Sequence, residues 1–240
     1  MTEEPTSNLT LAEQQLAQPV RTLKALLRHY AEGYRNFSGS DLRGVTLDII
    51  DQEIEYLDLS EVILKESNLQ AITINHSRTA LKVNLTGVDF SNCNLKGANL
   101  YGCRLDQCNF SNSDLRRANF SKSSCRGSDF IQAMLQDIAT GYADFTASNF
   151  TGANLRSLEL SGTFLHANFR GCNFQKTTLR NLNSEGADFS DADLRGLQLP
   201  TPTTVSLRYS YYNHKTKFSE NFDPIAMGME LLKDESDSED

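Results

Sequence analysis

The stretch Asn94-Leu-Lys-Gly-Ala-Asn-Leu-Tyr-Gly-Cys-Arg-Leu-Asp-Gln-Cys-Asn-Phe110 places a large apolar residue at Leu95, Leu100, Leu105 and Phe110. A small residue stands two places before each, at Cys93, Ala98, Cys103 and Cys108. The step holds in both directions. Leu85 and Phe90 precede the stretch, and Leu115, Phe120, Cys125, Phe130, Leu135, Thr140, Phe145, Phe150, Leu155, Leu160 and Leu165 follow it. A period of five fits neither the 3.6 of a helix nor the 2 of a strand, so the chain reads as a repeat architecture.

Segments such as Lys96-Gly97-Ala98-Asn99-Leu100, Thr151-Gly152-Ala153-Asn154-Leu155 and Ser190-Asp191-Ala192-Asp193-Leu194 resemble the pentapeptide-repeat family. That resemblance implies an all-β fold: a right-handed quadrilateral parallel β-helix with four repeats per coil. The apolar centre and the small residue of each repeat would point inward. Residues 20 apart should then stack, and the sequence can be tested for this. Phe90, Phe110, Phe130 and Phe150 fall in one column, and Leu95, Leu115, Leu135 and Leu155 in the next. Leu165 is followed by Phe169, which reads as a one-residue deletion, after which Phe169 and Phe189 extend the Phe column to six. Before residue 85 the phase is rougher. Phe37, Leu42 and Leu47 hold one register, Ile54 to Ile74 a second, and an extra residue near Thr79 to Lys82 leads into the third. About eight coils at the strand spacing of about 4.8 Å make a rod roughly 40 Å long.

Four segments are expected: a helical cap over 1–36, the β-helix over 37–200, an aromatic cap over 201–233, and a disordered acidic tail over 234–240. Thr10-Leu-Ala-Glu13 fits a capping box, and Pro19 is suited to restart a helix at its first turn. Leu23, Leu26, Leu27 and Tyr30 form an apolar stripe that ends at Gly33. It serves either to cover the open first coil or to bind a partner. After Pro200 the repeat stops, and Tyr209, Tyr211, Tyr212, Phe218 and Phe222 cluster. The segment Lys217 to Pro224 and the approach Leu27 to Phe37 are similar to flanks of cyanobacterial members of the family.

Catalytic, cofactor and metal sites are not expected. The four histidines, His29, His76, His166 and His214, are scattered, and phosphate-cradling glycine loops are absent. The five cysteines occupy inward positions and include no C-x-x-C pair, so they read as small buried hydrophobes rather than disulfides or zinc ligands. There is no secretory signal and no apolar run long enough to span a bilayer, which points to a soluble, cytoplasmic protein with no membrane contact.

The net charge is −8. It resides in the flanks: −5 over residues 1–80, +1 over 81–200 and −4 over 201–240. The candidate partner-binding residues lie on the near-neutral rod. Lys96, Arg116, Gln136, Arg156, Gln175 and Arg195 make a partly basic column, with Arg117 and Lys176 beside it. Asp89, Asp129 and Asp188 line the neighbouring face, so the two columns form either a mutually compensated surface or a docking face for an acidic protein. Coil 131–142 breaks the grammar with Ile131, Met134, Thr140 and Tyr142. These fall on different faces, so a continuous patch needs the coil to bulge, and the segment reads either as a loop packed on itself or as a contact site.

These features favour a non-catalytic interaction scaffold or regulatory module that presents flat walls to a protein partner. The resemblance points the same way and adds end-to-end pairing of two copies through the aromatic segment Tyr209 to Phe222. The alternative is a DNA-mimicking ligand of gyrase or topoisomerase. A mimic needs its negative charge along the rod, where this chain is neutral. Direct binding of nucleic acid is disfavoured by the scattered basic residues.

Overall fold

A computed structural model describes residues 17–46, 56–74, 82–200 and 204–232. The capping box at Thr10–Glu13, Leu47, Ile54 and the acidic tail lie outside them. Among the described residues from 36 onward the backbone climbs as a four-walled parallel β-helix. Within one coil the rungs are Asn84, Asp89, Asn94 and Asn99, and each pairs in parallel with the residue 20 further on: Arg104, Asn109, Asp114 and Asn119. We number the walls in that order: first wall, Phe wall, Leu wall and fourth wall.

Each pentapeptide makes one wall and one corner. After an inward centre such as Phe90 the chain turns, and the amide of Cys93 donates to the Phe90 carbonyl. The second corner residue sits at positive φ, 57° at Asn92 and 70° at Gly97, which accounts for the Gly and Asn found there. The residue before the centre uses its side chain to hold the corner. Asp89 Oδ1 accepts from the Ser91 amide, and Asn109 Oδ1 accepts from that of Ser111. The small inward residue also has a polar task. Cys93, Ser113 and Ser128 donate to the carbonyls of Leu64, Phe90 and Leu105 one coil below. The repeat's Asn/Asp and its Ser/Cys/Ala thus follow from backbone groups that must be satisfied in a narrow interior.

The interior is a set of columns. Phe90, Phe110, Phe130, Phe150, Phe169 and Phe189 stack at centroid separations of 5.0, 5.0, 4.8, 5.1 and 5.1 Å. Leu95, Leu115, Leu135 and Leu155 are fully buried beside them. All five cysteines are buried and free. Burial pushes the thiols of Cys93, Cys103 and Cys172 up to about 12 and raises those of Cys108 and Cys125 as well. The native protein should therefore resist Ellman's reagent at pH 8, and all five thiols should react once it is denatured. Because these folded-state values are raised, the thiols' contribution to stability is complete below about pH 9, where the unfolded thiols begin to ionise. It is lost as the pH rises toward 12.

Coil length varies toward the ends. Asn36 pairs with Ile63 and Ile63 with Asp89, so these two coils are longer than the regular ones above them. On the first wall β1 (Tyr56–Asp58) pairs in parallel with β2 (Lys82–Asn84). The apparent small phase slips before residue 85 are thus excesses of seven and six residues over the regular step of 20. They fall within 47–55 and 75–81, outside the described residues. Leu165 is not a centre: Phe164 is fully buried in its place and stacks on Phe145 at 4.8 Å. The lost residue lies at the previous corner, in β3 (Glu159–Thr163), whose pairing with β4 (Thr178–Asn183) shifts register between Leu160 and Gly162. The ladder also continues past Pro200. Asn183, Asp188 and Asp193 pair with Ser206, Tyr211 and Lys217, each across a longer step than in the regular coils.

At the start, Pro19 does not begin a helix. Residues 17–20 run extended over the first coil, where the Gln18 amide donates to the Asn36 carbonyl and the Asp41 amide to that of Val20. The helix, α1 (Leu23–Ala31), is capped instead by Thr22, whose hydroxyl accepts from the Ala25 amide at 3.2 Å. Leu26 is buried, and Leu23, Leu27 and Tyr30 pack on the same core, so the stripe covers the coil. At the other end Tyr212, Phe218 and Phe222 pack together in the same way. β5 (Tyr211–Tyr212) pairs in parallel with β6 (Glu230–Leu231).

Candidate interaction surface

The outward residues fall on walls and corners fixed by the coil step. The corner between the Leu wall and the fourth wall gathers Lys96, Arg116 and Arg117, Arg156, Lys176 and Arg195 into one ridge, as their spacing requires. Much of its charge is neutralised locally. Arg116 makes a bidentate pair with Asp114 at 2.8 and 2.6 Å, and Arg195 pairs likewise with Asp193 at 2.9 and 2.6 Å. The guanidiniums hold both carboxyls below the usual carboxylate range. Arg117 lies 3.8 Å from Asp137. Lys96, Arg156 and Lys176 have no ion pair among the described residues. The ridge therefore presents three uncompensated cations beside the Leu wall, Arg156 three coils above Lys96 and Lys176 one coil above Arg156.

Coil 131–142 does not bulge. Its rungs keep the regular pairing: Asp129 and Met134 join Asn149 and Asn154 above, and Ala139 joins Asn119 below. Neither a loop packed on itself nor a single apolar patch is present. Ile131 is half-buried at the corner after the Phe wall, Met134 lies on the Leu wall with 41% exposure, and Tyr142 stands at the corner after the fourth wall with 85%. Thr140 is a buried centre whose hydroxyl accepts from the Ser161 amide at 3.1 Å, holding the shortened corner above it.

That corner is the feature the period alone did not reveal. A groove of about 560 Å³ opens there, lined by Tyr142, Gly162, Thr163, Asn181, Asn183 and Thr204 among others. The adjacent pair Phe164-Leu165 was the available signal, since either residue could continue the column. Among the described residues no group of three His, Cys, Asp or Glu side chains is placed to hold a metal ion, and no helix is long and apolar enough to cross a membrane.

Residues 83–166 match the family model described as Pentapeptide repeat region, and residues 167–200 match Pentapeptide repeats (8 copies). No curated protein matches the chain. Among solved structures it is similar to HetL, a pentapeptide repeat protein involved in heterocyst differentiation regulation from the cyanobacterium Nostoc sp. strain PCC 7120. Identity is 23% over 89% of this chain and 93% of that one, with a TM-score of 0.42. Trypsin-treated QnrB1, a plasmid-mediated fluoroquinolone resistance protein, is 16% identical over 84% and 93% of the two chains, with a TM-score of 0.37. Rfr23 from the cyanobacterium Cyanothece 51142 is 19% identical over 82% and 98%, with a TM-score of 0.23. With its rungs, corners and inward columns all built on the five-residue grammar that both family models match, the chain belongs to the pentapeptide-repeat proteins.

Proposed function

We propose that the protein is a non-catalytic scaffold that docks an acidic protein partner along the ridge between the Leu and fourth walls. The observation that carries this reading is the set of uncompensated cations, Lys96, Arg156 and Lys176, beside a wall of neutral Asn, Asp–Arg pairs and the exposed Met134. Surface cations of this kind steer association more than they hold a complex together. An interior filled with Leu and Phe columns leaves reacting groups nowhere to converge, which supports a binding role over an enzymatic one. The aromatic cluster Tyr212, Phe218 and Phe222 is spent on the last coil. Pairing of two copies at this end would rest on Ile225, Leu231 and Leu232, which stay exposed.

The test begins with crosslinking capture of the partner from native lysate, followed by binding kinetics. Reversing Lys96, Arg156 and Lys176 together to Glu is expected to slow association by about tenfold or more at low salt, with little effect as salt rises. Unchanged association would remove the ridge from the interface. In a gyrase supercoiling assay the protein is expected to leave the enzyme's activity unchanged. Inhibition would instead favour the DNA-mimic reading.

A further inference from the structure

The groove at the corner between the fourth and first walls arises from changes in coil length. Asp144 pairs with Thr163, one position short of the regular step, so the corner at Gly162 is drawn inward. An added Cβ at Gly162 would lie 2.5 Å from the Ala143 carbonyl oxygen, which measures how far the backbone has been pulled in. One coil below, Tyr142 projects fully. Above, the step from Asn183 to Ser206 is longer than regular, and Thr204 is carried out over Asn181. A recess between two protruding corners results.

Its lining carries no charged side chain among the described residues. Asn181 is fixed by Thr204, whose hydroxyl donates to Asn181 Oδ1 at 2.6 Å and accepts from the Asn181 amide at 3.0 Å. Asn183 Oδ1 accepts from the Glu185 amide at 3.1 Å. Both carboxamides are thus oriented through their oxygens. Both Nδ2 groups are left without partners among the described residues, as is the Thr163 hydroxyl. Tyr142 adds an open ring and a phenol. Its ring buries almost nothing, and its φ of 59° is the ordinary second-corner conformation that Lys122 and Gln132 share. Folding stability does not explain a tyrosine there.

We propose that this groove binds a neutral polyhydroxylated ligand, a mono- or disaccharide. The apolar C–H face of the sugar would lie on the Tyr142 ring, with its hydroxyl oxygens accepting from Asn181 Nδ2, Asn183 Nδ2 and Thr163. An anionic sugar finds no counter-charge in the lining, and a charge desolvated without one is unfavourable. A peptide strand finds no free edge at the groove's rungs, because Thr163 pairs with both Asp144 and Asn183, and Asn183 pairs on with Ser206. The site is on a different corner from the basic ridge and does not depend on it.

The test is titration of the isotope-labelled full chain with glucose, maltose, trehalose, sucrose and glucose 6-phosphate, followed by amide NMR. The side-chain NH₂ signals are assigned through Asn181→Asp and Asn183→Asp, which keep the accepting oxygen and remove the donor. At least one neutral sugar is expected to shift both NH₂ pairs. Its affinity should fall about tenfold in Tyr142→Ala and in Asn183→Asp, with unchanged thermal melts. Because Tyr142 is so exposed, its removal leaves the fold intact. The proposal is overturned if none of the neutral sugars shifts these signals, if the shifts survive Tyr142→Ala, or if glucose 6-phosphate binds more tightly than glucose.

Discussion

Truncating Phe130 to alanine is expected to lower the unfolding free energy by about 3–5 kcal/mol, measured by denaturant melt. Phe130 is fully buried, stacked between Phe110 and Phe150 at 5.0 and 4.8 Å and meeting Phe120 and Phe145 edge-on at 5.8 and 5.6 Å. Each ring pair adds about 0.5–1.5 kcal/mol beyond area burial. The walls cannot collapse into the gap, because both neighbouring coils are fixed by backbone rungs on either side of it. A solenoid is held by nearest-neighbour contacts, so the loss also weakens the junction between the lower and upper coils. Broadening of the transition, with a lower m value, should accompany the shift. A wild-type melt for this variant would contradict the columnar core.

Gly162→Ala should be the most damaging glycine substitution on the rod. Its φ of 115° lies where side-chain-bearing residues are essentially absent, and that conformation alone costs about 1–3 kcal/mol. The new Cβ would also press on two backbone carbonyls, those of Ala143 at 2.5 Å and Thr140 at 3.2 Å, neither of which can swing aside as a side chain would. Gly97→Asn is the matched control. Nothing lies within 4 Å of a Cβ there, and its φ of 70° is one that Asn tolerates, so its melting temperature should stay near wild type. Equal melting of the two variants would mean that the shortened corner is not built as described.

The columns were legible because an inward side chain every five residues leaves a direct chemical imprint, and sorting by 20 separates Phe from Leu on sequence alone. The basic ridge was legible by the same arithmetic. Its partial neutralisation was also written in the chain. In Asp114-Leu-Arg116 and Asp193-Leu-Arg195 an inward leucine leaves the flanking charges outward and side by side. Coil length was not legible, since a period fixes phase only modulo five. A coil lengthened by a whole repeat and one further residue looks like a one-residue slip. The apolar pair Phe164-Leu165 offered two equal continuations, and only hydrogen-bond register chose between them. The groove depends on that choice together with the longer connection before Ser206. Ile131, Met134 and Tyr142 broke the grammar together in sequence, and their spacing already assigned them to different faces; what it did not show is that the coil stays regular.

The constant step between residues 84 and 154 makes the rod's length an adjustable quantity. Excising residues 104–123 would join Cys103 to Ser124 and bring each rung onto one of the same wall, with Phe90 stacking on Phe130 where it now stacks on Phe110. The molecule would shorten by one storey, about 4.8 Å, with both ends unaltered. The irregular coils, which step from Asn36 to Ile63, Ile63 to Asp89, Asp144 to Thr163 and Asn183 to Ser206, allow no such cut. The helix-covered base and the corner at Gly162 are therefore held apart by a ruler whose graduations are whole coils, and insertion or loss of one changes their separation without redesigning either.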